Sequence, residues 1–467
     1  MRRVSAGALP WRGRRLHFVG VGGAGMSGYA RLAQALGAEV SGSDQANTPF
    51  AKRLAADGVL RASIGHAVEN LPAGGELEVI YSSAVPEDNV ERRAARERGL
   101  AERSRAELLS ELTSLRRTVA VAGTHGKTTT ASMLVYAMRA AGLAPSWMVG
   151  GFLADGEPNA YWDEGEWLVV EADESDRSML SLDVDVAVLT NVELDHHTAF
   201  PSLAELLEAF ASFLASARGA IVVWNQPALL ELAPRGAQAL PAPAGEQGPR
   251  AAIELVPYQA PRAALGPEGS SFRWRGHEVR LAVPGAHNAL NAVAALEAAR
   301  LTGAEEAAAV HGLADFRGAA RRFQLVGHSP QGARVYDDYA HHPTEVAATL
   351  QAARTLEHER LVAAFQPHLF SRTALLAREF GRALALADAA VVLDVYPARE
   401  RAEEYPGVSG LVIAEATADC AEGRPAYWLP RLADAAPVLQ GLLGDGDVCV
   451  IMGAGDVDAL ARMLVGA

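Results

Sequence analysis

Apolar positions along the chain alternate between short strand-like runs and helical patterns. Between residues 16 and 110, the runs LHFVG, EVSGSD and LEVIYSSAV surround the helical pattern GYARLAQALG. Strands that alternate with helices in this way predict a parallel sheet covered by helices. Residues 100–118 are charged and poor in strand signals, so we place a first domain boundary in this stretch.

The same alternation returns twice. A second region begins at TVAVAG, with strands predicted at EWLVVEAD and VDVAVLTN and helices from Thr128 to about Ala141 and over 202–217. Its stretch 231–268 is dense in Pro, Ala and Gly and is predicted to be irregular surface structure, and FRGAARRFQLVG closes the region. A third region has RVYDDYA, LVAAFQPH, AAVVLDVY and VCVIMGAG as strands. The pattern predicts an α/β protein with domains at 1–112, 113–324 and 325–467.

Composition excludes several classes of function. A formal net charge of −14 argues against a nucleic-acid or anionic-membrane surface, because such surfaces need clustered Lys and Arg. No apolar run reaches the length of a membrane span, and the N-terminus lacks the apolar core of a signal peptide. Residues 1–14 are predicted to be a loosely attached tail. Cys420 and Cys449 are predicted to be small core residues of a cytoplasmic protein in a reducing compartment.

A first glycine-rich loop spans Gly20-Val21-Gly22-Gly23-Ala24-Gly25. It follows a strand and opens a helix, and Asp44 ends the next strand, as in the dinucleotide fingerprint. Its glycines let backbone N–H groups approach a pyrophosphate at the positive end of a helix. The loop therefore indicates a diphosphate-bearing nucleotide with Asp44 on the ribose, and a UDP-sugar fits as well as a nicotinamide cofactor. A tight turn without a ligand is the alternative.

A second glycine-rich loop lies in TVAVAGTHGKTTTASML, again a strand, a turn and a helix start. Val121 stands where the strict phosphate-loop pattern has Gly, so the loop is a shortened variant. We expect the N–H groups of 124–128 to wrap a phosphate, Lys127 to reach the β and γ oxygens, and Thr128 to bind Mg²⁺. Lys52 and Lys127 are the only lysines in the sequence. The loop predicts binding of a nucleoside triphosphate.

Polar residues follow two further strands of the second region. Glu171 ends one buried strand, and Asn191, Asp195 and His196 follow another. Acidic groups at the carboxyl ends of parallel strands, beside a phosphate loop, are where Mg²⁺ is held. Each alone is equally typical of an exposed loop. His196 is the weaker prediction, since magnesium prefers oxygen ligands.

Together, the motifs resemble those of a known family. GVGGAGMSG, AGTHGKTTT, EADESD, TNVELDHH, PGAHNALNAVAA, FRGAARRF, DDYAHHPTEV and QPHLFSRT occur in this order, as in the Mur ligases of peptidoglycan synthesis. The resemblance covers all three regions and implies a Rossmann-like UDP-binding domain, a central P-loop ATPase-like domain and a Rossmann-like closing domain. It implies that ATP phosphorylates the lactyl carboxylate of UDP-N-acetylmuramate, that Mg²⁺ assists, and that the amine of L-alanine attacks the acyl phosphate.

The resemblance also assigns roles to individual residues. It puts the UDP-sugar on Gly20, Gly22, Gly23, Gly25, Met26, Ser27, Asp44, His66 and Ser83. It puts ATP on Gly123, Thr124, His125, Gly126, Lys127, Thr128, Thr129, Asn288, Asn291, Arg322 and Asp338. It puts magnesium on Thr128, Glu171 and His196, and the muramoyl and acceptor side on Tyr339, His341, His368 and Arg372. The implied catalytic residues are Lys127, Glu171, His196, His341 and Arg372.

Some alternatives stay open on these residues. Related ligases place a carbamylated lysine at the second metal, but the central region offers only Lys127, which favours the alanine-adding branch with His196 at that metal. A ligase that recycles a preformed tripeptide would share both glycine loops. A histidine pair followed by proline at 341–343 is also typical of a plain helix start. We expect a monomer or homodimer, and Arg399 and Glu400 are further candidates near the substrate.

Overall fold

The computed structural model describes residues 7–466 except 8, 154–155, 196–199, 236, 238–252 and 399. These residues fall into two compact units. Unit 1 comprises Met1–Gln259 and Asn291–Asp315, and unit 2 comprises Ala260–Leu290 and Phe316–Ala467. Among the described helices, none combines the length and apolar character needed to cross a lipid bilayer.

The N-terminal part of unit 1 is a parallel sheet flanked by helices. Its elements are β1 (Arg15–Val19), α1 (Ala24–Ala35), β2 (Glu39–Asp44), α2 (Pro49–Ala56), β3 (Ser63–Ile64), β4 (Glu78–Tyr81), α3 (Val90–Glu97), β5 (Ala101–Ser104) and α4 (Arg105–Leu115). The strand order is β3-β2-β1-β4-β5, with every pair parallel. The order reverses between β1 and β4, and ligands of such sheets bind in the crevice at that point.

Two predictions for this part are wrong. Residues 9–14 are attached, because Trp11 is buried in the core and Arg14 donates to Glu78 over 2.8 Å. Residues 100–118 contain β5 and α4 rather than little regular structure. The prediction failed because β5 is an edge strand. Charged side chains are favoured at sheet edges, where they face solvent and oppositely charged side chains. Arg103 of this strand pairs with Glu78 over 3.1 Å.

The central part of unit 1 is a second sheet. Its elements are β6 (Arg117–Ala122), α5 (Lys127–Ala140), β7 (Ser146–Met148), β8 (Ala160–Tyr161), β9 (Trp167–Glu171), β10 (Val186–Leu189), α6 (Leu203–Ala215), β11 (Ala220–Trp224), α7 (Pro227–Leu230) and β12 (Glu254–Tyr258). The order is β12-β11-β10-β6-β9-β7-β8. Among the described strand pairs of this sheet, β7–β8 is antiparallel and the others are parallel. Strands β6, β9 and β10 are almost continuously apolar and buried, as expected for a parallel sheet covered on both faces.

Unit 2 begins with a small antiparallel sheet that the sequence pattern did not predict. It contains β13 (Ala264–Gly266), β14 (Gly269–Trp274) and β15 (His277–Leu281). Helix α8 (Ala286–Leu301) starts in this unit, and its residues from Asn291 onward belong to unit 1, as does α9 (Glu306–Ala314). The prediction of irregular structure over 231–268 is therefore wrong for β12 and β13. Residues 236 and 238–252 of that stretch lie outside the described residues.

The rest of unit 2 is a six-stranded sheet with helices on both faces. Its elements are β16 (Gln324–His328), β17 (Arg334–Asp338), α10 (Pro343–Ala353), β18 (Leu361–Phe365), α11 (Phe370–Leu384), β19 (Ala389–Val392), α12 (Gly410–Cys420), β20 (Ala426–Trp428), α13 (Leu432–Leu442), β21 (Val448–Met452) and α14 (Asp458–Val465). The order is β16-β17-β21-β18-β19-β20. Successive residues of β18 enter two different apolar cores, one on each face of the sheet. Cys449 is fully buried in β21 as predicted, whereas Cys420 is partly exposed.

Candidate functional site

The first glycine-rich loop joins β1 to α1 at the carboxyl edge of the N-terminal sheet. The N–H groups of Gly20 and Val21 donate to the carbonyl oxygen of Ser43 over 2.9 and 3.0 Å. Gly22 donates its N–H to Asp44 Oδ2 over 2.7 Å. The structure therefore brings Asp44 to the loop, as predicted, with one carboxylate oxygen hydrogen-bonded to the loop itself.

Close packing explains why the loop needs glycine at position 22. A Cβ added to Gly22 would lie 2.8 Å from Thr48 Oγ1 and 2.9 Å from Asp44 Cγ. Gly23 is the N-cap of α1, whose first-turn N–H groups have no intrahelical partners. Met26 and Ser27, also predicted for the UDP-sugar side, are both buried inside the protein.

The loops after β3 and β4 lie at the same sheet edge. His66 follows β3, and its Nδ1 lies 3.1 Å from Ser43 Oγ and 3.3 Å from Glu91 Oε1. Ser83 is exposed directly after β4, the strand beside β1. Its neighbour Ser82 approaches the loop, since a Cβ on Gly20 would be 3.1 Å from Ser82 Cβ. Asp44, His66 and Ser83, all predicted for the UDP-sugar side, thus end or follow strands that terminate at the same edge of the sheet as the first loop.

The second glycine-rich loop joins β6 to α5. Gly123 and Gly126 have φ values of +133° and +80°, which side chains rarely tolerate. A Cβ on Gly126 would lie 2.7 Å from Asn291 Oδ1, so Asn291, another residue predicted for ATP, packs against this loop. Thr129 lies in the first turn of α5, beside Lys127 and Thr128.

Fewer backbone N–H groups are available to a phosphate than the predicted set from residues 124–128. Thr124 donates its N–H to the Asn191 carbonyl over 3.0 Å, and His125 donates to Asn191 Oδ1 over 2.8 Å. Asn191 therefore stabilises the turn through hydrogen bonds and does not act as a metal ligand in this arrangement. The donors suited to a phosphate are the first-turn N–H groups of α5, from Lys127 onward.

Lys127 lies in a ring of oxygen atoms. Its Nζ donates to the carbonyl oxygens of Gly123 (2.7 Å) and Thr124 (3.1 Å) and to Glu174 Oε1 (2.9 Å). Burial alone would lower the pKa of Lys127, but the carboxylates around it, Glu174 first, raise that pKa. Burial raises the pKa of Glu174 to about 7, and Lys127 offsets only part of that rise. Lys127 is thus a fixed cation at the phosphate loop.

A hydroxyl and a carboxylate meet beside Lys127. Thr128 Oγ1 donates to Glu171 Oε2 over 2.8 Å, and Gly150 N–H donates to the same oxygen over 2.7 Å. A Cβ on Gly150 would lie 2.6 Å from that oxygen, so the space beside the carboxylate is kept clear. Hard oxygen donors of this kind are what Mg²⁺ prefers, and the two side chains fit the predicted ion. His196 lies outside the described residues, and the neighbouring Asp195 is buried.

The residues predicted for the acceptor side lie together in unit 2. His341 Nδ1 is 2.9 Å from the Tyr339 carbonyl, and the His341 ring meets those of Tyr339 and His368 edge-on at 5.3 and 5.9 Å. Arg372 is buried, with Nη1 3.4 Å from His368 Nδ1. His342 is the N-cap of α10, and Pro343 opens that helix. The motif is therefore both a helix start and part of a polar cluster.

Three further residues predicted for ATP, Asp338, Arg322 and Asn288, make contacts with other groups of the protein. Both oxygens of Asp338 accept backbone N–H groups, from Phe323 and Ala340, each over 2.7 Å. Burial raises the pKa of Asp338 to about 6, although Arg322 lowers it. Arg322 lies with its guanidinium 5.3 Å from the Tyr339 ring centroid. Asn288 is buried, and its Nδ2 donates to the Pro284 carbonyl over 2.7 Å.

Known proteins resemble this chain along nearly its whole length. Sequence models described as "Mur ligase family, catalytic domain", "Mur ligase middle domain" and "Mur ligase, glutamate ligase domain" match residues 15–117, 121–299 and 321–455. A UDP-N-acetylmuramate–L-alanine ligase of Nocardia farcinica is 41% identical over 100% of this chain and 98% of its own length. One from Mycolicibacterium smegmatis is 43% identical over 97% and 95%.

This chain belongs to the Mur ligase family. A crystal structure of UDP-N-acetylmuramate-alanine ligase from Thermotoga maritima shares its fold, with a TM-score of 0.80, 26% identity and coverage of 97% and 98% of the two chains. A murein peptide ligase of Psychrobacter arcticus has a TM-score of 0.71 at 24% identity and 97% and 98% coverage, which supports the fold alone. The predicted α/β architecture of three Mur ligase domains is confirmed.

The structure of this Mur ligase also adds residues that the sequence motifs did not single out. Glu174 bonds Lys127, and Glu91 bonds His66. Arg105 Nη2 donates to Asp173 Oδ2 over 3.0 Å, which ties α4 to the segment after β9. Glu174 and Asp173 lie inside the EADESD motif, so that motif carried a signal for them. Glu91 and Arg105 lie in charged helical patterns that resemble any exposed helix face.

Glu400 lies next to the polar cluster of unit 2 that contains His341, His368 and Arg372. Its carboxylate accepts from the Ser371 N–H over 3.0 Å and from Ser371 Oγ over 2.5 Å. Ser371 precedes the buried Arg372 in the first turn of α11. Glu400 therefore supports the helix that carries Arg372, while Arg399 lies outside the described residues.

Proposed function

We propose that this chain joins L-alanine to the lactyl carboxylate of UDP-N-acetylmuramate, at the expense of ATP, in peptidoglycan precursor synthesis. The observation that carries the proposal is the Lys127–Glu174 and Thr128–Glu171 arrangement at one phosphate loop. It occurs in a chain that is 41% identical, over its full length, to a ligase of that name. The family motifs add the UDP-sugar and acceptor sides.

Each predicted domain has one task in this proposal. Residues 1–112 bind the UDP-sugar, residues 113–324 bind ATP, and residues 325–467 close on both and bring the acceptor cluster. The enzyme works in the cytoplasm as a monomer or homodimer, needs no nucleic acid and does not insert into a membrane. A formal charge of −14 is consistent with substrates bound by local donors rather than by a basic surface.

The chemistry begins with a carboxylate, which is a poor electrophile. A carboxylate oxygen of the muramoyl group attacks the γ-phosphorus of ATP, the bond to the β-phosphate oxygen breaks, and ADP leaves. Lys127 and the first-turn N–H groups of α5 stabilise charge on the phosphate oxygens as it develops. Mg²⁺, held by Thr128, Glu171 and the predicted ligand His196, would neutralise further phosphate charge.

The resulting acyl phosphate reacts with the amine of L-alanine. The amine nitrogen attacks the acyl carbon, a tetrahedral intermediate forms, and inorganic phosphate leaves as the amide bond forms and the amine loses a proton. His341 and Arg372, with Tyr339 and His368 beside them, are the groups we assign to the muramoyl group and the incoming amino acid. Positioning of two anions supplies much of the rate enhancement in this assignment.

A comparison of amine acceptors tests the proposal. We expect release of ADP and phosphate that requires both UDP-N-acetylmuramate and L-alanine, measured with a coupled ADP assay and by mass detection of the amide product. Glycine and L-serine serve as near controls, and the peptide L-alanyl-γ-D-glutamyl-meso-diaminopimelate represents the recycling reaction. Turnover with the tripeptide and none with L-alanine would refute the assignment.

A further inference from the structure

Glu91 is a fully buried carboxylate at the first turn of α3. Its Oε2 accepts from Ser43 Oγ (2.7 Å) and His17 Nε2 (3.0 Å). Its Oε1 lies 2.7 Å from Asn70 Nδ2, 3.1 Å from the Ala67 nitrogen and 3.3 Å from His66 Nδ1. A buried charge is tolerated only when donors surround it, and this one has donors on both oxygens.

The hydrogen bonds keep Glu91 ionised. Burial alone would raise its pKa, but the donors, His17 first and then Asn70 and Ser43, lower that pKa to about 2. An ionised carboxylate can only accept, so every group around Glu91 must point a hydrogen at it. The carboxylate therefore dictates the proton positions of its neighbours.

Those neighbours support the first glycine-rich loop. Ser43 ends the register of β2 with β1, and its carbonyl receives the N–H groups of Gly20 and Val21. Its hydroxyl donates to Glu91 and therefore has only lone pairs to offer to His66 Nδ1, 3.1 Å away. Both groups near Nδ1 are acceptors, so that nitrogen carries the proton. In a neutral ring, Nε2 is then the hydrogen-bond acceptor.

We infer that Glu91 is a positioning residue of the UDP-sugar site, which fixes His66 in the Nδ1–H tautomer so that Nε2 accepts a hydrogen bond from the uridine nucleotide. This inference rests on the proposed function for the identity of the nucleotide. The matching donor is an N–H or O–H group, supplied by the uracil N3–H or a ribose hydroxyl. Glu91 acts through His66 and does not itself touch the ligand.

The first test is the substitution Glu91→Gln, which keeps the shape but replaces one acceptor oxygen by a donor. We expect the KM for UDP-N-acetylmuramate to rise about tenfold, the upper end of the loss for one hydrogen bond between neutral groups, with kcat and the KM for ATP within about twofold. Glu97→Gln is the matched control, since Glu97 is an exposed carboxylate on the same helix and should leave all constants unchanged. An unchanged KM for the UDP-sugar in folded Glu91→Gln would overturn the inference.

A double-mutant cycle separates positioning from general support of the fold. If Glu91 acts through His66, Glu91→Gln added to His66→Ala should raise the KM no further than His66→Ala alone. Additive losses would mean that Glu91 supports the site by another route, and would overturn the inference. Ser43→Ala is a milder change that keeps the backbone carbonyl; it should raise the same KM a few fold, even where Glu91→Gln folds poorly.

The tautomer is observable without turnover. In two-bond ¹H–¹⁵N spectra, with His66→Ala used to assign the ring, His66 should show protonated Nδ1 in the wild type and a changed pattern in Glu91→Gln. An Nε2–H tautomer in the wild type would overturn the inference. Binding of N3-methyl-UDP, 2′-deoxy-UDP and 3′-deoxy-UDP then identifies the donor, and wild-type binding of all three as tightly as UDP would also overturn it. Failure of the wild type to bind UDP-N-acetylmuramate would overturn the proposed function as well, whereas normal wild-type binding with an insensitive Glu91→Gln would overturn the inference alone.

Discussion

The two glycine-rich loops of unit 1 use the same strand, turn and helix, yet each has a buried glutamate of opposite character. Under the first loop, donors surround Glu91 and lower its pKa to about 2. Beside the second loop, burial raises the pKa of Glu174 to about 7, and Asp173 adds to that rise. Glu91 is therefore an ionised carboxylate with a structural role. Glu174 belongs to a crowded group of charges around Lys127, the arrangement expected where ionic chemistry takes place.

The difference shows that a glycine-rich turn supplies backbone donors but not a reaction. The chemistry depends on what the neighbouring strand ends contribute. At the second loop, β9 contributes Glu171 and the segment after it contributes Glu174. At the first loop, β2 contributes Asp44, which bonds the Gly22 N–H. In the proposed function the first loop therefore binds and the second also activates, and the following experiments test that division.

The largest effect is expected from Lys127→Ala. Loss of the fixed cation should lower kcat/KM about 10³-fold or more, because it removes charge stabilisation at the transferring phosphoryl group. UDP-sugar binding, measured by calorimetry, should remain, since the first loop lies in another sheet of unit 1. Lys52→Ala is the control: the other lysine is exposed in α2 and should have no effect on either measurement. Loss of UDP-sugar binding in a folded Lys127→Ala protein would contradict the division.

The next effect concerns stability against pH. The folded pKa of Glu91, about 2, lies below its ordinary 4.5, so Glu91 stabilises the fold above pH 4.5 and this contribution is lost as pH falls from 4.5 towards 2. A shift of this size corresponds to at most about 3 kcal/mol. Urea unfolding should show Glu91→Gln much less stable than wild type at pH 7, with the difference in free energy of unfolding shrinking below pH 4.5 and closing only near pH 2.

Glu174 should show the opposite sign. Its folded pKa of about 7 lies above the ordinary 4.5, so its ionisation costs stability as pH rises from 4.5 to 7. The stability of Glu174→Gln relative to wild type should therefore increase over that range, in the same urea unfolding series. Parallel profiles for the two variants would remove the contrast between the two glutamates.

The smallest effect is expected from a methyl group added to each loop. Gly22→Ala should raise the KM for the UDP-sugar about tenfold and leave the KM for ATP alone, because the new Cβ would press on Thr48 and Asp44. Gly126→Ala should do the reverse, since its Cβ would meet Asn291 at a φ of +80°. Steady-state kinetics with each substrate varied in turn measures both. A change in both KM values for either variant would mean that the loops are not independent.

Local patterns predicted the elements that carry the loops. Strand β6 and helix α5 were expected within a residue of where they lie, because a buried parallel strand is a continuous apolar run and a left-handed glycine, Gly126, precedes the helix. The patterns failed where tertiary contacts overrule local character. Trp11 is buried although its segment looked like a tail, and strands β12 and β13 lie in a stretch that looked irregular. His196 stays a prediction, as it lies outside the described residues.

The sequence by itself determined the three α/β regions, the two loops and the identity of Lys127, Thr128 and Glu171, because these features depend on residue type and short spacing. Only the tertiary structure decided which acceptor each donor meets. Glu91 is 25 residues from His66 and 48 from Ser43 along the chain, and the parallel pairing of β1 with β2 and β4 brings their loops to one edge. Hydrogen bonds between residues so far apart leave no periodic pattern in the sequence. The different environments of Glu91 and Glu174 could therefore not be distinguished before the fold was known.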